Sequence, residues 1–291
     1  MTIHLTDDIF TPAGTRLSLR RMGYGTMQLP GPHVWGQPHD KEAAIAVLRE
    51  AVERGVNHID TAQFYGPDVA NQLIREALSP YPDSLTLVTK VGFVRGADAS
   101  WEVDRSTAGL ERAVYENLDT LGLSTLDVVN LRLGKAGGPQ DAPFAESLEA
   151  LARLQQRGLI RHIGLSNVTP GQYAEAKTIA DIVCVQNQYN LVSRSDDAFI
   201  DALAEEGVAY VPFFPLGGFT PMQSSLLDQI AQEAGATPKQ VALAWLLQRS
   251  HNILVIAGTA SVAHLRENLA AASLSLSADQ VSRLNKMTEN K

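Results

Sequence analysis

Apolar positions along the chain follow two alternating rhythms. Short runs dense in Val, Ile and Leu recur at RMGYG (21–25), VNHIDT (56–61), LTLVTKVG (85–92), LDVVNLRL (126–133), LIRHIGLSN (159–167), DIVCVQNQYN (181–190), VAYVPFFPL (208–216) and NILVIAG (252–258). Most close on Gly, Asn or Pro, the pattern of buried strands bounded by turns. Between them, apolar residues return every three or four positions. KEAAIAVLREAVERG (41–55), STAGLERAVYENLDTLG (106–122) and SLEALARLQQRG (147–158) each predict a helix ended by its glycine, with Ser106 as an N-cap. TPGQYAEAKTIA (169–180), SDDAFIDALAEEG (195–207), TPKQVALAWLLQRS (237–250) and SADQVSRLNKMT (277–288) predict more, two of them opening with Pro at the first helical position. Leu243, Ala244 and Trp245 to Leu247 read as helix core.

Eight strands alternating with helices predict an α/β fold, a single (β/α)8 TIM barrel. The rival is a doubly wound open sheet, which usually carries a G-x-G-x-x-G turn after its first strand. Here the first strand ends GYGTMQLPG, without that spacing. The preceding IHLTDDIFTPAGTRLSLR alternates about TPAG and predicts a hairpin plugging the barrel bottom. The expected organisation is one domain over 1–291: hairpin 1–20, barrel 21–275, C-terminal helix 276–291.

Composition narrows the class. The 291 residues are 45% apolar and 19% charged, ordinary for a globular chain, and no apolar run reaches membrane-spanning length. The start MTIHLTDDIF is acidic where a secretory signal would be basic and then apolar. The single Cys184 excludes an internal disulfide and a cysteine-based zinc site. A cytoplasmic protein, a monomer or small homo-oligomer, is expected. The net charge of −8 gives no support to nucleic acid or an anionic membrane as partner.

In a barrel of this kind, chemistry gathers at the carboxyl ends of the strands. Those ends supply Asp60 and Tyr65, Lys90, Arg132, Ser166 with Asn167, Gln186, and Phe213 ahead of PLGG. A tyrosine hydroxyl, with an ordinary pKa of about 10, donates a proton poorly at neutrality. A neighbouring ammonium favours the phenolate, and a carboxylate holds that ammonium charged. Asp, Tyr and Lys together suit proton donation to a carbonyl oxygen. Ser, Asn and Gln suit a carboxamide, and an aromatic suits a flat ring; a nicotinamide meets both needs. No His/Cys/Asp cluster has metal-ligand spacing, so no metal is expected.

HIDTAQFYG, LVTKVG, HIGLSN, VQNQYN, FFPLGG and AGTASVAHLRENL, in order from Gly23 to Asn268, resemble the aldo-keto reductases. The resemblance implies a barrel without a Rossmann domain, NADP(H) with NAD(H) also open, and reduction of a small carbonyl substrate to an alcohol. By position, Tyr65 resembles the general acid and base, and Lys90 and Asp60 its charged partners. Ser166, Asn167 and Gln186 resemble the carboxamide contacts, and Phe213 the aromatic stacked on nicotinamide. Leu216 and Gly217 match the pyrophosphate loop, and Gly25 and Thr26 the rim beneath the coenzyme. Thr259, His264, Glu267 and Asn268 match the adenosine end, and Gly258 just before them is taken as a further coenzyme contact.

Two positions depart from the family pattern. Its fourth strand usually ends in a histidine five residues after an aspartate; here that position after Asp127 is Arg132. This variant also resembles a bacterial subset of pyridoxal reductase-like proteins. The usual Lys and Arg of the 2′-phosphate clamp read Gly258 and His264, Ala260 offers no charge, and Arg266 is the strong cation nearby. Arg132 has two readings: an ion pair with a rim carboxylate such as Asp141, or an anion contact beside Tyr65. A guanidinium cannot deliver a proton at neutral pH, so Tyr65 alone carries proton transfer. A pyridoxal-like aldehyde, with a phenolate beside its carbonyl, suits that cation. His58 and Cys184 read as buried core groups, Lys135 as solvated, and Trp35 and Trp101 as either an apolar wall over substrate or loop packing. Thr169 and Asn167 are candidate helix caps. The alternative functions are a nicotinamide-binding sensor with little turnover and an isomerase or lyase on the same barrel.

Overall fold

The computed structural model describes residues 8–134, 138–218 and 224–288. It opens with an antiparallel hairpin of β1 (Ile9–Phe10) and β2 (Leu19–Arg20). Parallel strands β3 (Tyr24–Gly25), β4 (His58–Asp60) and β5 (Thr86–Val91) follow. A second hairpin, β6 (Phe93–Arg95) with β7 (Trp101–Val103), interrupts the rhythm; the sequence pattern had not predicted it. The parallel sheet continues through β8 (Leu126–Arg132), β9 (Ile160–Ser166), β10 (Ile182–Gln186) and β11 (Ala209–Tyr210). Residues 252–255 close the barrel by pairing on both sides. Leu254 N donates to Tyr210 O at 2.9 Å on one side, and Gly23 N donates to Val255 O at 2.8 Å on the other. The expected (β/α)8 barrel is therefore present.

The helices are α1 (Lys41–Glu53), α2 (Val69–Leu78), α3 (Thr107–Leu121), α4 (Ala145–Gln156), α5 (Pro170–Ala176), α6 (Asp197–Glu205), α7 (Ser225–Glu233), α8 (Pro238–Arg249), α9 (Val262–Ala270) and α10 (Ala278–Asn285). Ser106 caps α3, its hydroxyl accepting from Gly109 N at 3.0 Å, and Gly122 ends that helix in the left-handed region. Thr169 and Thr237 close capping boxes on α5 and α8, so Thr169 rather than Asn167 caps the helix after β9. α5 stops at Ala176, short of the expected 180, where Ile179 N turns back to Ala176 O. α2 and α7 are helices that the sequence pattern does not predict.

Pleat alternation sorts the strand side chains. Ile59, Val129, Leu131, Ile163 and Leu165 point outward and bury against the helices. Val88, Val128, Ala209, Val211, Leu254 and Ile256 point into the barrel. Phe10 and Leu19 of the first hairpin pack onto that inner cluster with Leu17, so the hairpin plugs the barrel bottom as expected. Cys184 lies in the same cluster, donating to Asn130 Oδ1 at 3.2 Å, and burial pushes its thiol up to about 12. Leu243 to Leu246 are buried helix core, as predicted, whereas Leu247, expected with them, is only partly buried. Among the described residues, no helix is long and apolar enough to cross a membrane.

Candidate active site

The inner face continues upward from that apolar floor in steps of two. His58 leads to Asp60, Val88 to Lys90, and Val128 through Asn130 to Arg132. Sheet register then sets neighbours side by side: Lys90 opposite Asn130, Arg132 opposite Ser166, and Ser166 opposite Gln186. A cavity of about 510 Å³ opens above them, lined by Asp60, Tyr65, Lys90, Arg132, Gln186 and Phe213 among others. The predicted catalytic set thus comes together in one place.

Asp60 organises its floor. One carboxylate oxygen accepts from Lys90 Nζ, and the other accepts from Gln186 Nε2 at 2.8 Å. Lys90 Nζ also donates to Thr61 O at 3.0 Å and lies 5.2 Å from the centre of the Tyr65 ring. Burial alone would push the Lys90 ammonium down; the charges of Asp60 and Tyr65 outweigh it, and the net direction is up. Lys90 therefore stays charged across the neutral range.

Arg132 points to the cavity, its guanidinium carbon 5.5 Å from the ring centres of both Phe93 and Phe213. Its closest electrostatic influences are burial, which pulls it down, and Tyr65 and Asp60, which oppose that. The alternative pairing with Asp141 does not form: Asp127 at the strand's other end is engaged by Arg161 at 2.7 Å, and Arg132 has no carboxylate partner among the described residues.

The coenzyme-type residues divide. Gly25, Gln186, Phe213, Leu216 and Gly258 line the cavity. Gly25 and Gly258 also face each other across the barrel seam, where a Cβ on Gly258 would sit 2.5 Å from Gly25 O. Gly217 turns back to Phe214 O at 3.0 Å beside the cavity. Ser166 and Asn167 are fully buried behind the wall. Ser166 Oγ and Gln186 Oε1 are buried without a hydrogen-bond partner. Such groups are costly unless something completes them. A carboxamide, with both donor and acceptor, fits that need.

Elsewhere the geometry departs from the sequence reading. Thr26 turns away from the cavity, its hydroxyl donating to Asp60 O at 3.1 Å, because strand pairing leaves that carbonyl adjacent. Thr259, His264, Glu267 and Asn268 lie beyond the cavity wall; Thr259 Oγ1 accepts from Ser261 N at 3.1 Å, and His264 is exposed. Asn268 Oδ1 is buried and unpartnered. Arg266 pairs with Glu50 at 2.7 Å, so the strong cation near this end is neutralised by α1. Together with Arg54 it holds the Glu50 carboxyl down at about 2. His58 is a buried core histidine, as read, pushed down to about 4 by burial. Lys135 lies outside the described residues. Sequence reasoning missed Phe64, Phe93 and Phe214 as lining residues, although Phe64 and Phe214 lie inside the strand-end motifs and Phe93 directly follows one.

With this geometry in place, the similarities to known proteins become informative. Residues 21–289 match the aldo/keto reductase family. The chain belongs to that family. It is therefore an oxidoreductase that interconverts carbonyl and alcohol groups. It is 62% identical to pyridoxine 4-dehydrogenase of Escherichia coli over 283 residues, 97% of this chain and 98% of that protein. It is 37% identical to an uncharacterized oxidoreductase of Schizosaccharomyces pombe, covering 92% of this chain and 86% of that one. Among solved structures it resembles a thermostable aldo-keto reductase in complex with epalrestat, at 28% identity and a TM-score of 0.82 over 96% of this chain and 98% of that one. An aldo-keto reductase of Klebsiella pneumoniae in complex with NADPH matches at 25% identity and a TM-score of 0.78, over 93% and 92% respectively.

Proposed function

We propose that the protein reduces pyridoxal-like aldehydes to the alcohol with NADPH, reversibly, and that Tyr65 is its proton donor. The observation that carries this reading is Arg132: a guanidinium without a carboxylate partner among the described residues, in the same cavity as Tyr65 and Lys90. The pyridoxine 4-dehydrogenase name of the Escherichia coli relative supports the substrate class. The NADPH bound by the Klebsiella pneumoniae enzyme supports the coenzyme.

When bound, NADPH supplies the hydride to the carbonyl carbon. Ser166, Asn167 and Gln186 would hold its carboxamide, Phe213 would meet its ring, and Leu216, Gly217, Gly25 and Gly258 would border the rest. The Tyr65 hydroxyl gives its proton to the carbonyl oxygen as negative charge gathers there. Lys90 steadies the phenolate that Tyr65 becomes, and Asp60 fixes Lys90 in charge and position. Asp60 also orients Gln186, leaving its Oε1 as an acceptor for a carboxamide N–H. Arg132 pairs with the phenolate oxygen beside the aldehyde, placing the carbonyl against Tyr65. Oxidation of the alcohol reverses each step. A cytoplasmic monomer or small homo-oligomer completes the reading, consistent with an unpaired, buried Cys184.

The test mixes the protein with pyridoxal and NADPH and follows nicotinamide absorbance. Tyr65→Phe should retain coenzyme binding by fluorescence titration and lose about 10²–10⁴-fold in kcat. Near-normal turnover in that variant would remove Tyr65 from the mechanism. Coenzyme binding without turnover of any aldehyde would replace the enzyme reading with that of a sensor.

A further inference from the structure

Two loops over the cavity are joined by one side chain. Arg95 on β6 donates through Nη1 to Val34 O and through Nη2 to Ala99 O, each at 2.8 Å. Its guanidinium lies 5.0 Å from the centre of the Trp35 ring and 4.1 Å from that of Trp101. It is thus a planar cation in contact with two indoles, one from each loop. The first loop is itself tied beside Tyr65, since Gly36 N donates to Gly66 O at 2.8 Å. The second loop leans on Phe64, whose ring meets Trp101 edge-on at 5.7 Å. Trp101 is 44% exposed and lines the cavity. An exposed indole ordinarily rotates; this one is held by a cation–π contact with Arg95 and an edge contact with Phe64.

We propose that Arg95 is a positioning residue that holds Trp101 as the aromatic wall against which a flat substrate ring stacks, and so selects aromatic over aliphatic aldehydes. The proposal rests on the carbonyl-reductase reading above, with Arg132 taking the substrate anion and Trp101 its ring. A guanidinium suits this place better than an ammonium. A guanidinium is planar and can stack on aromatic faces, and its fork here reaches two carbonyls on different loops. Trp35 is not among the residues lining the cavity; its contact is with Arg95.

The experiment compares kcat and KM for pyridoxal and butanal in wild type, Arg95→Met, Arg95→Lys and Trp101→Leu, with near-ultraviolet circular dichroism of each. Arg95→Met and Trp101→Leu should lower the pyridoxal-over-butanal ratio of kcat/KM by about fivefold or more, carried by KM. Arg95→Lys should recover only part of that ratio. The indole dichroism should weaken in Arg95→Met, because one ring is released. Equal losses for both aldehydes, or an unchanged ratio in a folded variant, would overturn the proposal. If wild type ignores pyridoxal but reduces benzaldehyde, the substrate reading above falls, and the benzaldehyde-over-butanal ratio decides the role of Arg95. If it reduces butanal and no aromatic aldehyde, the proposal about Arg95 falls while carbonyl reduction stands.

Discussion

Arg132 belongs to the inner row of its strand, and two neighbours explain why. Val128 is buried in the barrel interior and Asn130 accepts there from Cys184, so the pleat sends the side chain two residues on inward as well. A lysine at that position would supply charge without the bidentate fork that a planar anion uses. Arg132→Leu should weaken pyridoxal turnover by about 10–100-fold in kcat/KM, from the loss of a charge-assisted contact of ~1.5–3 kcal/mol. Arg132→Lys should restore only part of it. The same variants should leave coenzyme dissociation constants within about threefold, a check by fluorescence titration. His58, lower in the same interior, makes a second prediction. Burial depresses its folded value to about 4 from 6.5, so the unfolded chain takes up the proton first as pH falls. Stability from this group is present at neutral pH and is lost progressively from about pH 6.5 to 4, by up to ~3 kcal/mol. Urea midpoints at pH 7 and pH 4.5 should differ less in His58→Leu than in wild type. His162 is also lowered by burial, so the variant flattens the slope without abolishing it.

At the level of elements, the seam between β3 and residues 252–258 is a joint of close backbone approach. A Cβ on Gly25 would meet Ile256 O at 2.6 Å, and one on Gly258 would meet Gly25 O at 2.5 Å. Both neighbours are backbone atoms of paired segments and cannot rotate aside. These glycines therefore allow the first and last strands to approach at the rim, beside the room they leave for a ligand. Gly25→Ala should lower stability by about 1–3 kcal/mol and weaken coenzyme binding, measured as thermal midpoint and dissociation constant. The apolar runs announced all eight barrel strands, because each must bury both faces. The β6–β7 hairpin was not legible: its β7 half, Trp101–Val103, is exposed throughout and shows no inside-outside alternation. Its antiparallel pairing is tertiary in effect, since Arg95 fastens it to a loop some sixty residues earlier.

For the whole molecule, the interior is divided between a dry floor and a charged rim. Phe10, Leu17 and Leu19 seal the floor from below, in contact with inner residues from across the barrel. Removal of residues 1–20 should expose that cluster, seen as increased binding of an apolar dye and a lower thermal midpoint. An unchanged midpoint would mean that the barrel closes without its plug. Above the floor, Asp60 and Lys90 are buried and Arg132 is half-buried, so their charges act on a bound substrate with less screening than in bulk water.

The linear chain by itself determined the barrel, because period-two and period-three-to-four burial are local consequences of strand and helix geometry. It also determined the identities of the rim residues, since each strand end names its own. It left open whom each would meet. Tertiary structure decided that Asp60 bridges Lys90 and Gln186, that Thr26 turns to a backbone carbonyl, and that Arg266 spends its charge on Glu50. It decided also that Arg132 faces the cavity rather than Asp141. Those outcomes depend on distances between segments far apart in the chain, and a hydrogen bond or ion pair exists only where packing brings its two ends within about 3 Å.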